Sequence, residues 1–212
     1  MSETKDIILA IITFSIIISL TQILKGNYSF FPIALFFSIL IILTSVLSKK
    51  IMAHSLDADV EHELWKWSQY GFRKRHHFKN PITTGIFLPL LFSIISLGTI
   101  KFLTFLTYET RALKVRAAKR FGIYSFTEIT EWHNGLIGAA GIVGVLLLSA
   151  VAYTIPIPNQ EILTKLAIYY SFWNIIPISK LDGAQIFFGS RVLWTTLAII
   201  TAILTTGSLL IQ

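Results

Sequence analysis

The residue whose setting most demands a chemical explanation is Asp182, a carboxylate between the apolar stretches Tyr169-Tyr170-Ser171-Phe172-Trp173 and Ile186-Phe187-Phe188. A charge in or near a bilayer is costly and calls for a partner or a function. Around it runs Asn174-Ile175-Ile176-Pro177-Ile178-Ser179-Lys180-Leu181-Asp182-Gly183. Pro177 breaks a helical ladder and frees carbonyls upstream, and Asp182-Gly183 favours a tight turn. One reading is a broken helix that presents a carboxylate to a wet pocket. The plainer one is a kinked helix with Lys180 and Asp182 as an interfacial cap. The chain has no cysteine, so any metal must be held by His, Asp or Glu. His62-Glu63-Leu64-Trp65-Lys66 looks like H-E-x-x-H, but its last residue does not ligate zinc in the usual way. Glu128, Glu131 and His133 precede a span that begins near Gly135; they either line a site or cap the helix start and pair with the basic stretch 111–120. There is no Walker loop, dinucleotide fingerprint, or serine or cysteine nucleophile motif, so phosphoryl transfer and acyl-enzyme chemistry find no support.

The scaffold for these residues is a membrane one. Of 212 residues, 54% are hydrophobic and 14% charged, and the mean hydropathy is +0.69, too apolar for a water-soluble domain. The length suits a single membrane domain, 1–212, of about five to seven spans. Uncharged runs cover 7–24, 26–48, 80–100, 132–160, 166–179 and 192–212. The first is expected to stay in the mature chain, because it is longer than a signal core and leads straight into a second span. The net charge of +7 reads as topology and anionic-lipid contact, not nucleic-acid binding. Its basic residues concentrate in 49–79 and 111–120, which a full crossing by 80–100 would place on opposite faces, against the positive-inside bias. Gly85, Pro89 and Gly98 punctuate that run as they would a re-entrant hairpin, which removes the conflict and puts both basic loops and the N-terminus in the cytoplasm; the alternative is a plain crossing helix with weak topology signals. Residues 52–70 read as an interfacial helix, with Ala53, Leu56, Val60, Leu64 and Trp67 recurring every three or four positions. Arg73, Lys74 and Arg75 after it would face lipid headgroups, with His76 and His77 adding pH-dependent charge. Gly138, Gly141 and Gly144 mark a small-residue face for close helix packing.

The string Asn174…Pro177…Leu181-Asp182-Gly183 resembles the N-P-D-G type motif of the site-2 protease family of intramembrane zinc metalloproteases. The resemblance implies an all-α polytopic fold with a site-2-protease-like core at 29–190, a first helix at 1–28 and a last one at 191–212. It comprises about five transmembrane helices and a re-entrant element. It makes Asp182 a zinc ligand, with Asn174, Pro177 and Gly183 supporting the motif. The family's other half, H-E-x-x-H-x-x-x-A, places zinc-binding histidines four apart and a glutamate as general base. Set on 50–58, it matches His54 and Ala58, but Lys50 replaces the first His and Ile51 the Glu. A lysine repels a metal, and isoleucine cannot polarise water.

The leading expectation is therefore a catalytically degenerate relative that binds transmembrane helices or regulates a membrane complex. The alternatives are an active protease and a transporter. The protease would use a rebuilt zinc site of His54, His133 and Asp182, with Glu131 or Glu61 as base. The transporter would move a cation or proton through Asp182. The resemblance also implies a prokaryotic plasma membrane. The expected partners are anionic lipid headgroups and a transmembrane-helix substrate or partner protein.

Overall fold

Two long apolar runs parted by Lys25-Gly26 fold as antiparallel helices, α1 (Glu3–Leu24) and α2 (Phe31–Ser55). Gly26, at φ +79°, lets the chain leave α1, and Pro32 sits in the first turn of α2, where its missing N–H costs nothing. The computed structural model describes residues 3–69, 77–113, 129–155 and 159–210. The cluster Arg73, Lys74, Arg75 and His76 that was expected to face headgroups, Glu128, and most of the basic stretch 111–120 lie outside the described residues, as do the side chains of His77 and Lys79.

Past Ser55 the structure departs from the expected interfacial helix over 52–70. Asp57 adopts φ +52°, and strand β1 (Ala58–Leu64) follows, then the short strand β2 (Trp67–Gln69). The reason is in the residues: Ala58, Val60, His62 and Leu64 point inward while Asp59, Glu61 and Glu63 alternate with them, a period of two that overrides the sparser period of three to four. Ala58 is thus the first buried residue of a strand and not part of a helical motif. β2 pairs with β3 (His77–Ile82), and β1 pairs antiparallel with β4 (Leu106–Ala112) from Ala58↔Ala112 to Leu64↔Leu106. The expected all-α class therefore holds only in part: the chain is mostly helical, with two small two-stranded sheets.

Between β3 and β4 the chain makes a hairpin. Helix α3 (Thr84–Ile95) has 12 residues and spans about 18 Å, too short for a hydrocarbon core of about 30 Å. Both ends of the hairpin return to one residue: the Gly85 N–H donates to the Trp65 carbonyl at 2.8 Å, and the Trp65 N–H to the Phe105 carbonyl at 2.9 Å. A Cβ on Gly85 would strike the Phe105 carbonyl, so this closure needs glycine. The hairpin turns at Gly98, φ +81°, where the Thr21 hydroxyl donates to its carbonyl at 3.1 Å. The tip lies near the end of α1, and the sheet end lies near its start.

The remaining helices are α4 (Glu131–Thr154), α5 (Gln160–Ile175), the short α6 (Asp182–Gly189) and α7 (Arg191–Leu210). α4 packs against α2, α5 and α6, and α7 packs on α5 and α6. Phe14 of α1 links the halves of the core, its ring 5.2 Å from Phe105 and 6.0 Å from Tyr170. α1, α2 (with the 3-10 turn Tyr28–Phe30 before it), α4 and α7 are long and apolar enough to cross a membrane. α5 has 16 residues and continues through an irregular segment into α6, so among the described residues four such helices stand where about five were expected.

Candidate functional site

The site is built where α5 breaks. Ile176, ahead of Pro177, takes an extended conformation (ψ 129°), as a pre-proline residue prefers, and α5 ends at Ile175. The chain runs irregularly through 176–181 and restarts as α6 at Asp182. Gly183 lies so close to the Ile175 carbonyl that a Cβ would overlap it, which folds the start of α6 back against the end of α5. Asn174, 1% exposed, donates from Nδ2 to the Leu103 carbonyl at 3.0 Å and to the Tyr170 carbonyl at 2.7 Å, tying the returning limb of the hairpin to the broken helix. The sheet end braces the break: Trp65 Nε1 donates to the Ser179 hydroxyl at 3.3 Å, and Leu181 packs with Trp65 and Phe102.

Asp182 is thereby placed inside the bundle, against Lys49 of α2. The Lys49 ammonium stands 2.8 Å from Asp182 Oδ1 and 2.6 Å from Oδ2, with the side chains 2% and 1% exposed. Lys49 also lies over the Tyr108 ring, 4.9 Å from its centroid, and its alkyl chain runs across Gly141, where a Cβ would meet Lys49 Cε. The glycines of α4 thus face particular side chains: Gly138 faces Tyr108, Gly141 faces Lys49 and Gly144 faces Ser48. A polar lattice holds Tyr108 in turn. Its hydroxyl donates to the Asn134 carbonyl at 2.7 Å, Asn134 Nδ2 donates to Gln185 Oε1 at 2.5 Å, and Gln185 Nε2 donates to the Tyr108 carbonyl at 3.1 Å. Burial, and then the charge of Asp182, hold the Tyr108 hydroxyl well above its usual range, so it stays protonated.

Beside this pair is a second polar cluster, at the free edge of β1. Glu3 accepts from the His62 N–H at 3.4 Å and meets His62 Nδ1 at 2.9 Å, and Asp6 accepts from the Leu64 N–H at 3.3 Å. Lys50 turns outward from Lys49 and pairs with Glu3 at 2.8 Å. Burial, reinforced by the positive charge of Lys49 and opposed by Glu3, pushes the His62 imidazole down to about 4. His62 is therefore neutral near pH 7, and its Nε2 is buried without a hydrogen-bond partner. The string His62-Glu63-Leu64-Trp65-Lys66 is this strand, with Glu63 facing out to Lys66 at 3.1 Å.

Of the described residues expected to ligate a metal or act as base (His54, His133, Glu131, Glu61 and Asp182), only Asp182 enters the interior. His54 is exposed in the last turn of α2, and Ile51 beside it is 70% exposed. His133 belongs to the start of α4, where its N–H donates to Thr130 Oγ1 at 3.4 Å and its Nδ1 also meets that hydroxyl; this is a helix cap. Glu131 is exposed, and Glu61 pairs with Arg111 at 2.9 Å on the outer face of the sheet. Lys180, expected to cap with Asp182, instead reaches Glu109 at 3.2 Å. Among the described residues no three His, Asp or Glu side chains converge to hold a metal, so the rebuilt set of His54, His133 and Asp182 is not brought together. The residues around Asp182 do not fit a zinc ion: a buried ammonium already stands against the carboxylate, donating to Oδ1 and lying 2.6 Å from Oδ2.

Lys49, Tyr108, Glu3 and Asp6 were not singled out by motif reading, although the signal for Lys49 is present. Ser38, Ile42, Ser45, Lys49 and Ala53 recur at three- and four-residue spacing on the buried face of α2. The chain matches no family model, no curated protein and no solved structure. Fold and site together describe a mostly helical protein whose described residues include four helices long and apolar enough to cross a membrane, with a hairpin and a lysine–aspartate pair at a broken helix.

Proposed function

We propose that the protein is a non-catalytic membrane scaffold of the site-2-protease type, which binds transmembrane helices without cutting them. The observation that carries this reading is the Lys49–Asp182 pair, in which a lysine ammonium occupies the position that a metal would take beside the aspartate of the broken helix. On this reading the zinc motif is to be sought in another register. With Lys49 facing Asp182, the paired histidines of H-E-x-x-H would fall on Ser45 and Lys49 and the glutamate on Val46. None of the three can perform its role, so neither a metal-bound water nor a general base has a residue to support it. His54 is left exposed and one turn too far along α2.

On this reading the irregular segment 176–181, the hairpin and the sheet end form the frame that meets a partner helix. By the positive-inside bias the sheet end would face the cytoplasm of a prokaryotic plasma membrane. The test is reconstitution in liposomes with designed transmembrane peptides that carry a helix-breaking residue. A scaffold retains them intact and crosslinks to them from the hairpin; zinc-dependent fragments would contradict the reading.

The buried pair itself favours one second reading. A lysine–aspartate pair at a helix break is a place where a proton or cation could exchange with the ammonium, as in transporters built on broken helices. Ion flux into liposomes that Asp182→Asn abolishes would select it.

A further inference from the structure

A cavity of about 450 Å³ lies at the end of the bundle away from the sheets, between the hairpin, α5 and α7. Ile162, Lys165, Tyr169 and Phe172 of α5 line it at three- and four-residue spacing, so it follows one face of that helix for about 15 Å. Lys101, on the returning limb of the hairpin, and Leu209 of α7 stand opposite. Two ammonium groups therefore share a trough that is otherwise mostly apolar and aromatic.

Lys101 is the informative member. It is half-buried, yet among the described residues it has no hydrogen-bond or ion-pair partner. The backbone after it is pinned, because the Phe102 ring packs 4.6 Å from Trp173 and the Leu103 carbonyl accepts from Asn174. The cation is thus built into the wall and faces a membrane-level cavity, a situation that calls for a counter-charge. Glu161, the nearest acidic residue along α5, is exposed and does not line the cavity.

Dimensions decide between occupants. The empty space between the lining atoms, about 1010 Å³, over about 15 Å gives a mean cross-section of about 67 Å². A helix 10–12 Å across needs about 80–110 Å², so a second helix does not fit, whereas a single hydrocarbon chain does. A free anion would answer Lys101 and leave the trough below it empty. An amphiphile with an anionic head and an unbranched tail answers both.

We propose that this crevice binds an anionic phospholipid, with the phosphate held by Lys101 and Lys165 and one acyl chain laid along α5. The bound lipid then bridges the hairpin to α5 and α7, in the leaflet away from the sheet end.

Native mass spectrometry of the full-length, delipidated protein, titrated separately with phosphatidylglycerol and phosphatidylcholine, tests this. One phosphatidylglycerol is expected to persist at collision energies that strip phosphatidylcholine. Lys101→Gln should weaken its binding at least about fivefold, the factor one lysine near a lipid surface contributes, and Lys101→Arg should restore it. Equal retention of the two lipids, or undiminished phosphatidylglycerol binding in Lys101→Gln, overturns the proposal. So does displacement by millimolar inorganic phosphate alone, which would assign the site to a free anion, and so does a polypeptide retained in the lipid's place. If Lys101→Gln does not fold, Lys165→Gln makes the comparison, and its undiminished binding overturns the proposal equally.

Discussion

Replacing Lys49 with methionine keeps most of the side-chain volume along Gly141 and removes the charge, leaving Asp182 1% exposed with no cation beside it. Breaking a buried ion pair from one side costs about 3–5 kcal/mol, because the remaining charge stays desolvated and unpaired; that is roughly two to three and a half orders of magnitude in the unfolding equilibrium. Asp182→Asn should cost a similar amount by stranding the ammonium, which would keep only the Tyr108 ring. The double variant Lys49→Met/Asp182→Asn should recover much of the loss and be less destabilised than either single variant, since two neutral groups of similar size carry no stranded charge, which requires an interaction energy of more than about 3 kcal/mol. The assay is reversible unfolding in mixed micelles by SDS titration, followed by tryptophan emission, on the parent and the three variants. Strictly additive single effects, or single variants within about 1 kcal/mol of the parent, would refute the reasoning, because exposed and solvated pairs behave that way.

Three further outcomes follow from the geometry. With His62 pushed down to about 4 in the folded protein against 6.5 unfolded, its contribution is fully present above pH 6.5 and is lost as pH falls toward 4, about 3 kcal/mol in all; unfolding midpoints at pH 7.5 and 4.5 should show this slope in the parent and a flatter one in His62→Gln. Asn174→Ala should cost about 1–3 kcal/mol by leaving the Leu103 and Tyr170 carbonyls without their donor, read by the same SDS titration. Gly183→Ala should cost about 1–3 kcal/mol, because its Cβ meets backbone at Ile175 that cannot swing aside, while alanine at Gly207, where nothing lies within 4 Å, should be neutral or slightly stabilising.

Much of this was legible in the residues. The long apolar runs marked α1, α2, α4 and α7, and Gly85 with Gly98 marked a run that turns back on itself. Pro177 and Gly183 announced the break that buries Asp182. The partner of Asp182 was harder to see, because a motif aligned on His54 draws attention to Lys50, whereas the helical phase of the buried serines puts Lys49 on the inward face, against Asp182. The strand at 58–64 was masked by a competing period, and Glu3 and Asp6 gave no local sign of reaching β1, some 58 residues along the chain. Contacts of that kind depend on how α1 docks, which no local pattern encodes.

The proposed scaffold requires the Lys49 ammonium, and not a metal, beside Asp182, and elemental analysis of the purified protein after incubation with zinc tests that most directly. No zinc above the buffer level is expected in the parent, and none in Asp182→Asn. A stoichiometric zinc ion that Asp182→Asn removes would contradict it.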